Sequence, residues 1–108
     1  MLDKSELDDE ILKEVASVGG GYGNKIERCM EEMERIERAV RYLKGRVERQ
    51  GGTPLFSLRL LVRLRKRFER LKEEALRQRK SLIIYREALG LFRHGEVFEI
   101  YNIERFKL

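Results

Sequence analysis

Gln50-Gly51-Gly52-Thr53-Pro54 is the stretch on which the fold turns, because it separates two long segments that each carry a helical repeat. Before it, Ile26, Cys29, Met33, Ile36, Val40, Leu43 and Val47 recur at alternating spacings of three and four, which is the seam of a coiled coil. After it, Leu61, Leu64, Phe68, Leu71, Ala75, Gln78, Leu82, Tyr85, Leu89 and Phe92 repeat the alternation with one polar member, Gln78. A period of 3.5 held over more than three heptads keeps an apolar stripe turned toward a neighbouring helix, and a strand cannot produce it. In the link, Gly51 suits the left-handed residue that closes a helix, Thr53 suits an N-cap, and Pro54 suits the first helical position, where a missing N–H is harmless. So short a link forces the helices antiparallel.

These features predict an all-α protein: a long antiparallel coiled-coil hairpin over residues 24–92, with a short N-terminal helix and a small C-terminal segment packed at its open end. Asn24 and Glu27 have the spacing of a capping box and are read as the start of the first long helix. Residues 1–18 are read as an acidic amphipathic helix carrying Leu7, Ile11, Leu12, Val15 and Val18. Residues 19–23, with four glycines, are read as a hinge. Residues 93–108 are read as a tail on the hairpin base, with a short helix over Glu96 to Tyr101 and an extended end. The second helix outruns the first, so its apolar end around Leu82, Ile83, Ile84, Tyr85 and Leu89 needs cover from the N-terminal segment, the tail, or both.

A chain of 108 residues, 40% charged, holds one domain with a modest core, for which burial against a partner is a ready supplement. It contains no apolar run of membrane-spanning length, and its first residues are acidic where a secretory signal is basic and then apolar. Its one cysteine, Cys29, allows no internal disulfide. The expectation is a cytoplasmic protein without membrane contact.

The net charge of +5 is unevenly spread. Residues 1–15 hold six acids and two bases, residues 24–50 eight bases and six acids, residues 55–80 ten bases and three acids, and residues 81–108 four of each. The excess therefore falls on the middle of the chain, and the acidic start either neutralises part of it or stands apart.

No constellation for catalysis emerges. Lys25 follows Asn24 where a phosphate-binding loop needs Gly-Lys, no Ser or Thr comes next, and no strand precedes the glycines. His94 is the sole histidine, expected to cap helix carbonyls, and Cys29 sits in the seam as a small hydrophobe. Catalytic, cofactor and metal residues are therefore assigned to none, and the chain is expected not to be an enzyme.

Two surfaces remain. Leu55, Phe56, Leu60 and Val62 exceed what the seam can use and are read as a partner-contact patch. Two hairpins pairing there into a four-helix bundle would make a homodimer, and another protein could occupy the same patch. Arg59, Arg63, Lys66, Arg70, Arg77 and Lys80 form a one-sided cationic row suited to polyanion binding. The leading expectation is a small interaction or scaffold protein that self-associates; the alternative is a non-specific nucleic-acid- or ribosome-binding accessory protein acting through that row.

Overall fold

The computed structural model describes residues 4–51 and 54–108, and their side chains from Gly20 onward except Gln50. Helix α1 spans Lys4–Gln50, α2 spans Leu55–Ala88, α3 spans Gly95–Ile100, and one 3₁₀ turn covers Ile103–Arg105. The two long helices pack side by side as an antiparallel hairpin, and the molecule is a rod of 74 × 23 × 16 Å.

The turn forms where the glycines predict it. Gly51 takes φ +68°, the left-handed conformation that closes α1, and its N–H donates to the Glu48 carbonyl at 3.4 Å. Pro54 stands one residue before α2 rather than inside it, with φ −59° and ψ 141°, and its carbonyl accepts the Leu58 N–H at 3.1 Å. The Thr53 cap lies outside the described residues. Of the seam read on α1, Ile26, Cys29, Met33, Ile36, Val40 and Leu43 are buried while Val47, nearest the turn, is half-buried, and Met30 joins the buried set.

The glycine run is not a hinge, and Asn24 does not start a helix: α1 passes through both without a break. Packing explains this. Tyr22 stacks beside Tyr85 of α2 with ring centroids 6.1 Å apart, and a Cβ on Gly23 would overlap the Tyr101 hydroxyl. Gly23 is therefore the gap through which the tail reaches α1, and the helix continues because its neighbours hold it there. Gly20 and Gly21 meet nothing within 4 Å of an added Cβ. Gly20→Ala and Gly21→Ala are each expected to raise stability by about 0.5–1 kcal/mol, since alanine restricts the unfolded chain and favours the helix. Urea unfolding checks this, and an unchanged midpoint in both variants would contradict a helical run. The expectation that the apolar residues of 1–18 cover the hairpin end falls on side chains outside those described.

Helix α2 stops earlier than its seam suggests. Gly90 has φ +84°, and the N–H groups of Gly90 and Leu91 donate to the carbonyls of Glu87 and Arg86 at 2.9 and 3.0 Å. That paired closure is a Schellman motif, and it turns the chain back along the hairpin. Leu89 and Phe92, read as seam members, are exposed in consequence.

The tail then runs antiparallel to α2 toward the turn. Tyr101 and Glu104 meet Arg79, the Phe106 carbonyl accepts from Lys72 Nζ at 2.9 Å, and Leu108 lies beside Leu61 and Val40. Ile103 and Phe106 are fully buried in one core with Ile26, Met33, Phe68, Leu71 and Ala75. The tail thus fills the groove between the long helices well beyond the open end where it was expected, and it leaves Ile84 and Leu91 exposed.

Candidate functional site

Reversal at Gly51 brings the last three turns of α1 beside the first three of α2. Between residues 38 and 66 lie nine bases, Arg38, Arg41, Lys44, Arg46, Arg49, Arg59, Arg63, Arg65 and Lys66, and one acid, Glu48. All nine are exposed, and among the described residues none is held in an ion pair. The first turn of α2 carries no acid to complement its helix dipole. The tip of the rod is therefore a pole of net charge +8 on a chain whose total is +5. Half of this pole is hidden in the charge of residues 24–50 taken together, where the bases of 38–49 are offset by Glu27, Glu31, Glu32, Glu34 and Glu37 earlier in the same stretch.

Apolar side chains stand inside this pole. Leu55 is 63%, Phe56 76% and Val62 53% exposed, as the partner-contact reading requires. Leu60 is half-buried and belongs less to the patch than expected, whereas Leu58 is exposed beside it. Leu58, Val62, Arg59, Arg63 and Lys66 share one shallow depression on α2. On the other side of Leu58, a groove of about 200 Å³ is lined by Val40, Lys44, Leu61, Val62 and Arg65 and ends on Leu108. The tail thus helps shape the tip, which no local pattern announces.

The cationic row is dispersed in position and in state. Arg59, Arg63, Lys66, Arg70 and Lys80 are exposed without an ion pair among the described residues, while Arg77 bonds Glu74. Glu74 also accepts from Gln78 at 2.9 Å, and these two partners hold its carboxyl below the usual range. Arg70 and Arg77 line a broad mixed-charge cleft with Lys25, Arg28, Glu32, Arg67, Glu73 and Glu74, in which Arg67 grips Glu32 through two bonds of 3.0 Å. Only the part of the row nearest the turn merges with the basic pole.

The remaining chemistry-bearing groups serve the fold. Burial pushes the Cys29 thiol up, assisted by Glu74 and Glu32, so it stays protonated in the seam. His94 does not cap the end of α2 but precedes α3, with Nε2 3.2 Å from Glu87 and its carbonyl accepting the Phe98 N–H. Arg79, next to the polar seam residue Gln78, is the buried charge among the described residues: it bonds both Glu104 oxygens and the Tyr101 carbonyl, and its guanidinium lies 4.5 Å from the centre of the Phe98 ring. No local pattern marks Arg79, because its partners come from a tail without periodicity. Among the described residues no group of three His, Cys, Asp or Glu could hold a metal, and no helix is long and apolar enough to cross a membrane.

The architecture defines the class: an all-α helical hairpin whose groove is filled by its own C-terminal tail. Compared with family models, curated proteins and solved structures, the chain matches none.

Proposed function

We propose that this chain is a non-catalytic interaction protein that docks through the tip of its hairpin onto an acidic, amphipathic protein surface. The observation that supports the reading is the intermixing at one end of exposed Leu55, Phe56, Leu58 and Val62 with nine exposed bases and a single acid. Apolar side chains alone would fit any greasy groove, and bases alone any polyanion. Together they ask for a partner that buries an apolar face and carries negative charge around it. Exposed phenylalanine and arginine side chains are also the residue types that anchor protein interfaces.

Nucleic acid is the competing occupant, favoured by the unpaired state of Arg59, Arg63, Lys66 and Arg70. It makes a different demand on the tip: phosphate contacts depend on charge and salt, and do not need Phe56. Titrating the full chain with a synthetic acidic amphipathic peptide and with a single-stranded RNA separates the two. The expected result is peptide binding that weakens about tenfold or more on Phe56→Glu, an anchor-sized loss. RNA binding that ignores Phe56→Glu and falls on Arg59→Ala with Arg63→Ala, in the absence of peptide binding, would overturn the proposal in favour of the accessory-protein reading.

A further inference from the structure

Which acidic amphipathic surface the tip takes is narrowed by the chain itself. Residues 1–15 carry Asp3, Glu6, Asp8, Asp9, Glu10 and Glu14 against Lys4 and Lys13, interspersed with Leu7, Ile11, Leu12 and Val15 at helical spacing. Their net charge is −4, that of residues 38–66 is +8, and everything else sums to +1. The molecule has two opposite electrical poles, each with apolar residues among its charges.

A hinge at the glycines would let the negative pole fold back toward the positive one within a single copy. The structure removes that route. Helix α1 is continuous from Lys4 to Gln50, so residue 10 and residue 45 stand about 50 Å apart at 1.5 Å per residue. The two poles of one copy cannot meet. Two poles of different copies can, and the helix sets the geometry. Residues 4–15 and 38–49 lie symmetrically about residues 26–27, the middle of α1. An antiparallel pair of rods related by a two-fold axis at that level places each acidic end beside the other copy's basic tip, so both contacts form together and the assembly closes.

Resting on the docking reading of the tip, we infer that its occupant is the acidic N-terminal segment of a second copy, in a head-to-tail antiparallel dimer. This differs from a pairing of tip with tip, which would press two surfaces of charge +8 together. Like charges across an interface oppose association strongly, whereas opposite poles both steer and hold it. The same segment carries Leu7, Ile11 and Val15 among its acids, the mixed apolar and acidic character that the tip calls for.

A charge-swap experiment on the full chain tests the inference. One variant carries Asp8→Lys, Asp9→Lys and Glu10→Lys, which takes residues 1–15 from −4 to +2; the other carries Arg46→Glu, Arg49→Glu, Arg59→Glu, Arg63→Glu and Lys66→Glu, which takes residues 38–66 from +8 to −2. Sedimentation equilibrium at low ionic strength is expected to show a dimer for the natural chain, weakening as salt is added, and at least about tenfold weaker association for each variant alone. Mixed in equal amounts, the variants restore dimer formation, because the reversed N-terminal segment of one then faces the reversed tip of the other, and the two natural ends face each other, opposite in sign at both contacts. Circular dichroism confirms that each variant remains helical, and the rescue on mixing shows that loss of association is not loss of fold. A natural chain that is monomeric under these conditions overturns the inference. So does a dimer that survives the Asp8, Asp9 and Glu10 reversal but is lost with Phe56→Glu, which would be tip-to-tip pairing. If the monomeric chain still binds the acidic peptide in a Phe56-dependent way, the docking reading stands and only the identity of the occupant is wrong.

Discussion

Replacing Phe106 by alanine lowers the free energy of unfolding by about 3–5 kcal/mol, a large part of what holds together a domain of this size. The side chain has 0% exposure and sits among Ile103, Ile26 and Met33, the other fully buried large residues. It enters from the last sixteen residues of the chain, yet it fills the centre of the groove between α1 and α2, and truncation leaves a cavity that two long, stiff helices can collapse upon only in part. Lys72 donates to the carbonyl of the same residue at 2.9 Å, and the Arg105 guanidinium covers its ring at 4.1 Å. Phe92→Ala serves as the control, because Phe92 is 72% exposed beyond the end of α2 and its loss should change stability little. Urea unfolding of both variants checks the contrast. A Phe106→Ala cost no larger than that of Phe92→Ala would mean that the tail does not belong to the core.

Removal of Glu104 has the next largest effect. Breaking a buried ion pair by deleting one partner costs about 3–5 kcal/mol. Here Arg79 is buried while the Glu104 side chain is 57% exposed, so solvent screening reduces the expected cost of Glu104→Ala to about 2 kcal/mol. Arg79 then keeps the Tyr101 carbonyl and the Phe98 ring but loses the anion that neutralises it. The pair also sets a pH dependence. Hydrogen bonds from Arg79, more than the charge itself, hold the Glu104 carboxyl down to about 2, against an ordinary value of 4.5. Because the folded value is the lower one, the stabilisation is complete above about pH 4.5 and is lost as the pH falls toward 2. The difference in stability between the natural chain and Glu104→Ala should therefore be constant near neutrality and shrink across that acid window. A difference that does not narrow there would show that the salt bridge is not what Glu104 contributes. The exposed pairs Arg67 with Glu32 and Arg105 with Glu34 add little by comparison, as solvated ion pairs do.

Both effects concern a segment whose sequence says least about its place. Over residues 96–108 the apolar residues follow neither a period of 2 nor one of 3.6, so the short helix could be anticipated and its docking could not. Arg79 illustrates the difficulty: a charge on α2 reads as solvated until the tail brings Glu104 and a carbonyl to it. Gly23 does so as well, since it looks like hinge material beside Gly19, Gly20 and Gly21, and only the Tyr101 hydroxyl explains its lack of a side chain. Gly90 was the more legible signal, being a glycine after a long periodic run. The continued alternation through Leu89 and Phe92 masks it, because periodicity alone does not say where a helix is stopped.

The candidate site divides along the same line. Exposure of Leu55, Phe56 and Val62 follows from counting what the seam can use, a local argument that survives in three dimensions. Leu58 rather than Leu60 joins the exposed set, and the groove beside it ends on Leu108, forty-six residues beyond Val62 in sequence. The basic pole was half visible, its α1 portion hidden until the turn sets Arg38 to Arg49 beside Arg59 to Lys66.

What the sequence determined by itself was the pair of long helices, their antiparallel turn and the apolar surplus beside it, because heptad periodicity and a glycine link act between residues near in the chain. Tertiary structure alone decided where the tail lies and that the opposite electrical poles are kept apart. The tail's binding groove does not exist until the hairpin has formed, and whether five residues rich in glycine bend or stay helical depends on Tyr22 and Tyr101 finding their partners across it.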